Sequence, residues 1–169
     1  MTNFISDPKS FPWRLDVQRG AIEFLNLSRD KIAESAFLDH RATGANGPKT
    51  SAQIATLHSA QSSASPPRAP AYIFHTAFCS STLISRCLDM PGRALSLKEP
   101  QILMELSGAR RFEGQRGQAM FPDLFKLVNG LLARAHEGSE RAIIKPSNGA
   151  NDLLADVLDL EPETQVLLL

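Results

Sequence analysis

The stretch that decides the fold is residues 71–100, AYIFHTAFCSSTLISRCLDMPGRALSLKEP. It opens with a short apolar run over 71–74, and a tight polar turn follows. A segment with helical periodicity then covers 80–89, and a second apolar run covers 94–98. This order predicts a strand, a loop, a helix and a second strand. The loop would direct the amides at the start of the helix toward an anion.

The rest of the chain after this stretch continues the alternation of strands and helices. Pro122 is expected to begin a long helix, 141–145 a third strand, and Ser147 or Asn148 to cap another helix. Residues 164–169 read as a fourth strand. Strands separated by helices of this length indicate βαβ units and a mostly parallel sheet. The fold class predicted is therefore α/β.

Between the second and third strands the sequence predicts a short helix and then a loop. Pro100 suits the first turn of a helix over 101–106, and Gly108 is expected to close it. Residues 110–118 hold three arginines and two glycines and are predicted to form a mobile loop. The arginines either face solvent or meet an anionic acceptor. They are Arg110, Arg111 and Arg116.

Residues 1–69 are interpreted as an N-terminal extension to a domain that starts at residue 70. The extension is expected to contain a helix over 28–38 and a short one over 51–58, because apolar residues recur there at helical spacing. Residues 1–27 are expected to form a strand or irregular packing segment. The end of the extension, SSASPPRAP, has the composition of a linker.

The composition of the chain limits the classes of function to be considered. The chain has 169 residues, 43% hydrophobic, with Lys plus Arg and Asp plus Glu equal at 18 each, so net charge gives no reason to expect nucleic acid binding. No apolar run reaches the length of a membrane span and no secretory signal is visible. Cys79 and Cys87 are too far apart along a helix to pair. We expect a reduced, cytoplasmic protein without a metal site.

The polar turn has the length of a phosphate-binding loop. Residues 75–82, HTAFCSST, match the length of GxxxxGK(S/T), with Thr82 at the final hydroxyl position. His75 and Ser80 replace the glycines and Ser81 replaces the lysine, so an ordinary ATPase or GTPase is not expected. Small hydroxyl side chains at a helix N-terminus suit phosphate or sulfate. Simple helix capping explains the same residues.

A resemblance adds to this. The stretch FHTAFCSSTLISRCLD, followed by LSLKEPQILMEL, resembles the opening of a bacterial sulfotransferase-like P-loop family. Such proteins carry a loop of the form (R/K)SG(S/T)T(L/W)L, onto which CSSTLI aligns. The resemblance implies a partial P-loop nucleotide-hydrolase-like three-layer fold over 70–169. It also implies binding of 3′-phosphoadenosine 5′-phosphosulfate (PAPS) as co-substrate and transfer of its sulfuryl group to a hydroxyl or amine acceptor.

The resemblance also assigns roles to single residues. Lys145, in IIKPSNGAN, is expected to balance the charge of the leaving phosphate, with Arg86 as the second candidate, and Glu99 is expected to act as the base. The residues expected to hold the phosphosulfate are His75, Cys79, Ser80, Ser81, Thr82 and Arg86.

Five of these residues have an alternative structural interpretation. Glu99 could cap the helix that follows it, Lys145 could be a solvent charge at a strand end, and Arg86 could be a surface helix residue. His75 could simply end a strand, and Cys79 could be a small buried thiol. The residues alone leave both interpretations open.

The chain departs from the family pattern at three places. Phe78 stands where the family has a basic residue, and Ser80 stands where it has the loop glycine. The chain also ends inside the last predicted strand, before the arginine and serine that grip the 3′-phosphate in the family, so we expect a truncated relative. The alternative functions are a non-catalytic phosphate- or nucleotide-binding protein and a vestigial interaction protein that pairs through its exposed last strand.

Overall fold

The computed structural model describes residues 3–112, 114–160 and 162–169, and the side chains of these ranges apart from 112–118. In chain order the elements are β1 Ser10–Asp16, β2 Ala21–Asn26, α1 Arg29–Glu34, β3 Lys49–Gln53, α2 Ile54–Ser62, β4 Ala71–Phe74, α3 Ser81–Cys87, β5 Ala94–Lys98, α4 Gln101–Phe112, α5 Gly114–Leu132, β6 Arg141–Lys145, a 3-10 turn Asn148–Ala150, α6 Leu153–Leu160 and β7 Gln165–Leu168.

The protein has a mixed α/β fold, in which a four-stranded, all-parallel sheet is flanked by helices. Its strand order is β5-β6-β4-β7. Tyr72 of β4 pairs with Ile144 of β6 on one side and with Val166 of β7 on the other. The prediction of an α/β class with a mostly parallel sheet is confirmed. Because all four strands run the same way, their carboxyl ends meet at one edge, where open α/β sheets place ligands.

The N-terminal residues form a second, antiparallel sheet in the order β1-β2-β3. Strands β1 and β2 of this sheet occupy much of 1–27, where the sequence signal was mixed. In β1 the alternation of side chains is interrupted, because Pro12 and Arg14 flank a register shift. Phe11 and Phe24 from this sheet belong to the same hydrophobic cluster as Leu95 of the parallel sheet. The two sheets therefore share one continuous apolar core.

The predicted loop over 110–118 is wrong, and so is the predicted end of the preceding helix at Gly108. Helix α4 continues through Gly108 to Phe112, and α5 begins at Gly114, so that Pro122 lies inside α5 rather than at its start. A glycine inside a helix costs only about 1 kcal/mol, which tertiary contacts can offset. Glu113 lies outside the described residues.

Contacts to α6 and to Asp152, the residue before it, stabilise the end of α4. Arg110 donates to the Asp156 carboxylate at 2.6 Å, and Arg111 donates to the Asp152 carboxylate at 3.0 Å. These two arginines therefore pair with acidic side chains of the same protein, which was not foreseen. The side chain of Arg116 lies outside the described ones.

Two N-terminal helices differ in their bounds from the prediction. Ser28 caps α1 as expected, since its hydroxyl accepts from the Lys31 amide at 3.4 Å. The helix ends at Glu34 rather than at residue 38 as predicted, and the fully buried Lys98 donates to the carbonyls of Ile32 and Ala33 in its last turn at 3.1 and 2.9 Å. The helix predicted over 51–58 is instead the strand β3 followed by α2.

Candidate functional site

Three parallel strands bring three of the predicted site residues to one edge of the sheet. His75 follows the last residue of β4, Glu99 follows β5, and Lys145 ends β6. These strands are neighbours in the order β5-β6-β4. The geometry of a parallel sheet therefore places the three side chains together, although they are far apart in sequence.

Lys145 is the centre of this group. Its ammonium donates to Glu99 Oε1 at 2.6 Å and lies 3.1 Å from His75 Nε2. The side chain is fully buried, so the interpretation of Lys145 as a solvent charge at a strand end is wrong. A buried ammonium needs a partner of opposite charge, and Glu99, whose side chain is 18% exposed, supplies it.

Glu99 is held by its backbone as well as by its side chain. Its amide donates to the Lys145 carbonyl at 2.7 Å, and its φ is 53°, in the left-handed region. A non-glycine residue pays of order 1 kcal/mol or more for this conformation. Strain of this kind is common at functional sites, and the strained residue here is the one whose carboxylate contacts Lys145.

His75 is buried between polar atoms. Its Nδ1 lies 2.9 Å from the Thr76 carbonyl oxygen, and its Nε2 lies 3.1 Å from both the Pro146 carbonyl oxygen and Lys145 Nζ. Nε2 cannot accept from the ammonium and donate to the carbonyl at the same time. Which of these two contacts Nε2 makes therefore depends on the tautomer of the His75 ring.

Asn151 belongs to the site and was missed by sequence reasoning. Its Nδ2 donates to the His75 carbonyl oxygen at 2.9 Å, and its Oδ1 is buried without a hydrogen-bond partner among the described residues. The available signal was the polar run SNGAN directly after the third strand. Ligand contacts in open α/β sheets come from such post-strand segments.

The loop between β4 and α3 is unusual in its backbone. Phe78 and Ser80 have φ values of 61° and 60°, and the Phe78 side chain is fully exposed. Ser80 is the N-cap residue of α3, but its side chain makes no capping hydrogen bond. Simple capping by Ser80 therefore does not explain the hydroxyl there. Ser81 is buried and Thr82 half-buried.

Cys79 is part of this loop, between Phe78 and Ser80. Its thiol donates to the Thr76 carbonyl oxygen at 3.0 Å and is half-buried. Desolvation opposes ionisation of the thiol, but the hydroxyl and amide of Ser81, together with the charge of Lys145, outweigh it and lower the pKa of Cys79. The loop thus stabilises a negative charge at this sulfur atom.

Arg86 is the predicted site residue that the fold does not bring to the group. It is exposed in the last turn of α3. Its charge acts on Lys98, whose buried ammonium has a pKa lowered by desolvation and by neighbouring cations, Arg86 among them. The surface interpretation of Arg86 fits this position.

Over residues 3–112, 114–160 and 162–169, no group of three or more His, Cys, Asp or Glu side chains is arranged to hold a metal ion. Among the same residues, none of the helices combines the length and apolarity needed to cross a bilayer.

Comparisons with known proteins give no relative for this chain. No family model, no curated protein and no solved structure matches it. A functional assignment therefore depends on the side chains gathered at the carboxyl edge of the sheet and on the loop that adjoins them.

Proposed function

We propose that the protein binds PAPS at the carboxyl edge of its parallel sheet and transfers the sulfuryl group to a hydroxyl or amine acceptor. The observation that carries the proposal is the contact of buried Lys145 with both Glu99 and His75. This group lies beside the loop that precedes α3. A cation, a carboxylate and hydroxyl donors at one strand edge are the parts that sulfuryl transfer requires.

The loop residues supply the contacts to the phosphosulfate in this proposal. Ser80 and Thr82 place hydroxyls and amides at the start of α3, and Ser81 already stabilises negative charge at Cys79. These features support an anion as the occupant of the loop.

Catalysis divides between Lys145 and Glu99. Bound PAPS supplies an activated sulfuryl group. The acceptor oxygen or nitrogen forms a bond to sulfur while the bond from sulfur to the 5′-phosphate oxygen breaks. Glu99 takes the acceptor proton, and Lys145 offsets the negative charge that develops on the leaving phosphate. His75 is a positioning residue, since its ring holds Lys145 from the other side.

Binding without turnover is the second candidate, and Phe78 favours it. In the family that the loop resembles, a basic residue at this position steadies the leaving oxygen, and phenylalanine cannot. The ion pair with Glu99 also offsets the positive charge of Lys145, which the phosphates of PAPS would otherwise use. On this second proposal the loop holds the nucleotide, and no sulfuryl group moves.

The proposed location and partners follow from the same function. We extend the proposal to a cytoplasmic protein whose ligand is a nucleotide-type small molecule rather than a nucleic acid. Exposed Leu167 and Leu168 on the edge strand β7 support self-association through that edge. Sedimentation of the wild type and of Leu168→Lys tests this last point: equal, monomeric behaviour of both contradicts it.

Calorimetry with 3′-phosphoadenosine 5′-phosphate (PAP), with ATP as the comparison, tests the binding that both candidates share. Release of PAP from PAPS over a panel of phenols, alcohols and amines then separates them. Turnover that is lost in Glu99→Gln supports the transferase. Binding of PAP without turnover, even in Phe78→Arg, supports the non-catalytic protein.

A further inference from the structure

A groove of about 610 Å³ lies at the opposite edge of the parallel sheet from the Lys145 group. It runs between the segment 61–70, which leads into the start of β4, and the second half of α5. Arg141, the first residue of β6, fixes that segment by donating to the Ala69 carbonyl oxygen at 2.8 Å. The volume falls within the range of small-molecule sites in proteins.

The charged side chains that line the groove are all basic. They are Arg68, Lys126 and Arg134, and in the part of the chain that the structure describes no aspartate or glutamate lines it. Arg68 and Lys126 are exposed at its surface. One sign of charge around a concave site attracts ligands of the other sign.

Arg134 supplies a buried positive charge whose hydrogen bonds go to backbone carbonyls. Its guanidinium donates to the backbone carbonyls of Leu131 at 2.7 Å, Asp7 at 2.8 Å and Ser10 at 2.5 Å, and also to that of Phe4. The Asp7 hydrogen bond uses the backbone oxygen, and the Asp7 carboxylate acts on the guanidinium through its charge. Burial lowers the pKa of Arg134 to about 10. A buried cation that binds only neutral carbonyls favours a nearby anion.

Apolar side chains form the remainder of the groove wall. Ile5, Pro66, Pro67 and Leu131 lie among the basic residues. A ligand that fits both parts needs a charged end and an apolar body. Specific small-molecule sites commonly combine a mostly apolar lining with a few polar groups.

We propose that this groove binds a small organic anion with an apolar body, whose negative group faces Arg68, Lys126 and Arg134. The site is separate from the proposed PAPS site and does not depend on it. The basic side chains of the groove require a negatively charged group on the ligand. Its prolines and Leu131 provide the surface against which the apolar body of the ligand packs.

Two fluorescent probes of almost the same shape test the ligand class. The full chain is titrated with 8-anilinonaphthalene-1-sulfonate and with N-phenyl-1-naphthylamine, which has the same rings without the sulfonate. We expect the anionic probe to bind about tenfold more tightly. Decanoate should displace it, and decanol should not. Equal affinity for the two probes overturns the proposal.

Charge reversal locates the binding. The double variant Arg68→Glu, Lys126→Glu should weaken binding of the anionic probe about tenfold or more. Lys49→Glu, an exposed reversal on β3 outside the groove, should leave it unchanged. The proposal is overturned if the double variant still binds the anionic probe with unchanged affinity, or if Lys49→Glu weakens binding of the probe equally.

A third variant covers the case in which the double variant does not fold. Ala64→Trp adds bulk at an exposed position of the groove wall and should block the anionic probe. Ser81→Ala, Thr82→Ala should leave binding of the probe unchanged, which separates the groove from the loop before α3. Retained binding in Ala64→Trp, or loss in the loop variant, contradicts the groove as the site.

Discussion

Glu99 and Lys145 are joined twice. The Glu99 amide donates to the Lys145 carbonyl at 2.7 Å, and the Lys145 ammonium donates to Glu99 Oε1 at 2.6 Å. One bond aligns the ends of two neighbouring strands, and the other pairs a fully buried cation with a carboxylate. The pair therefore acts in the fold as well as in the proposed chemistry.

Removing one partner of this pair should destabilise the protein. We expect Lys145→Met to lower the free energy of unfolding by about 2 to 3 kcal/mol, somewhat less than for a fully buried pair because Glu99 is partly exposed. The double variant Glu99→Gln, Lys145→Met should lose at least about 1 kcal/mol less than the sum of the single changes. Urea unfolding of all four proteins measures this. Strictly additive losses contradict the coupling.

The positive φ of Phe78 should destabilise the folded protein. Asparagine tolerates positive φ better than phenylalanine, and the exposed ring loses no packing. Phe78→Asn should therefore raise the free energy of unfolding by about 0.5 to 1 kcal/mol. Ala77→Asn is the matched control, since Ala77 is exposed next to it without a positive φ. If the free energy of unfolding of Phe78→Asn is lower than that of Ala77→Asn, this description of the loop is contradicted.

Cys79 should react faster with electrophiles than Cys87. Hydrogen bonds from Ser81 and the charge of Lys145 lower the pKa of the Cys79 thiol against the opposing effect of burial, so more thiolate is present at neutral pH. Mass spectrometry after brief treatment with iodoacetamide at pH 7.5 measures the two rates. Ser81→Ala should slow the reaction at Cys79 and leave exposed Cys87 unaffected. Equal rates at Cys79 with and without the Ser81 hydroxyl would falsify the assignment.

His136 should make stability depend on pH. Burial, together with the charge of Arg134, lowers its pKa from 6.5 to about 4. Between these two values the unfolded chain binds more protons than the folded one, so stability present above about pH 6.5 is lost as the pH falls toward 4. Asp7 and Glu140 oppose the shift, and Arg29 adds to it.

The variant His136→Gln isolates this effect. Its free energy of unfolding should fall less between pH 7 and pH 5 than that of the wild type, as followed by urea unfolding at each pH. Parallel losses in both proteins mean that His136 does not supply the dependence.

The parallel sheet was predictable from sequence, and much of the N-terminal half was not. The strands over 71–74, 94–98 and 141–145 were found at their observed bounds because each is a short apolar run between turn residues. Strand β3, with the sequence KTSAQ, carries no such pattern, because its side chains are mostly exposed and the strand depends on pairing with β2. Tertiary pairing overrode weak local propensity there.

The candidate site was predictable by position but not by contact. Strand ends, including the lysine that ends the third strand, pointed to His75, Glu99 and Lys145. That a single ammonium bridges the other two depends on the order β5-β6-β4, which local sequence patterns do not encode. Asn151 was missed because its role is a bond to the His75 backbone, for which an asparagine in a polar run gives no distinct signal.

The most direct test of the central claim is calorimetric titration of the protein with PAP, compared with ATP. We predict that PAP binds and that ATP binds at least about tenfold more weakly. The variant Ser81→Ala, Thr82→Ala should lose the heat of PAP binding. Ala77→Asn lies in the same loop but outside the residues expected to hold the phosphosulfate, and it should keep that heat. Equal indifference of the folded wild type to both nucleotides would contradict an anion-binding loop of this kind.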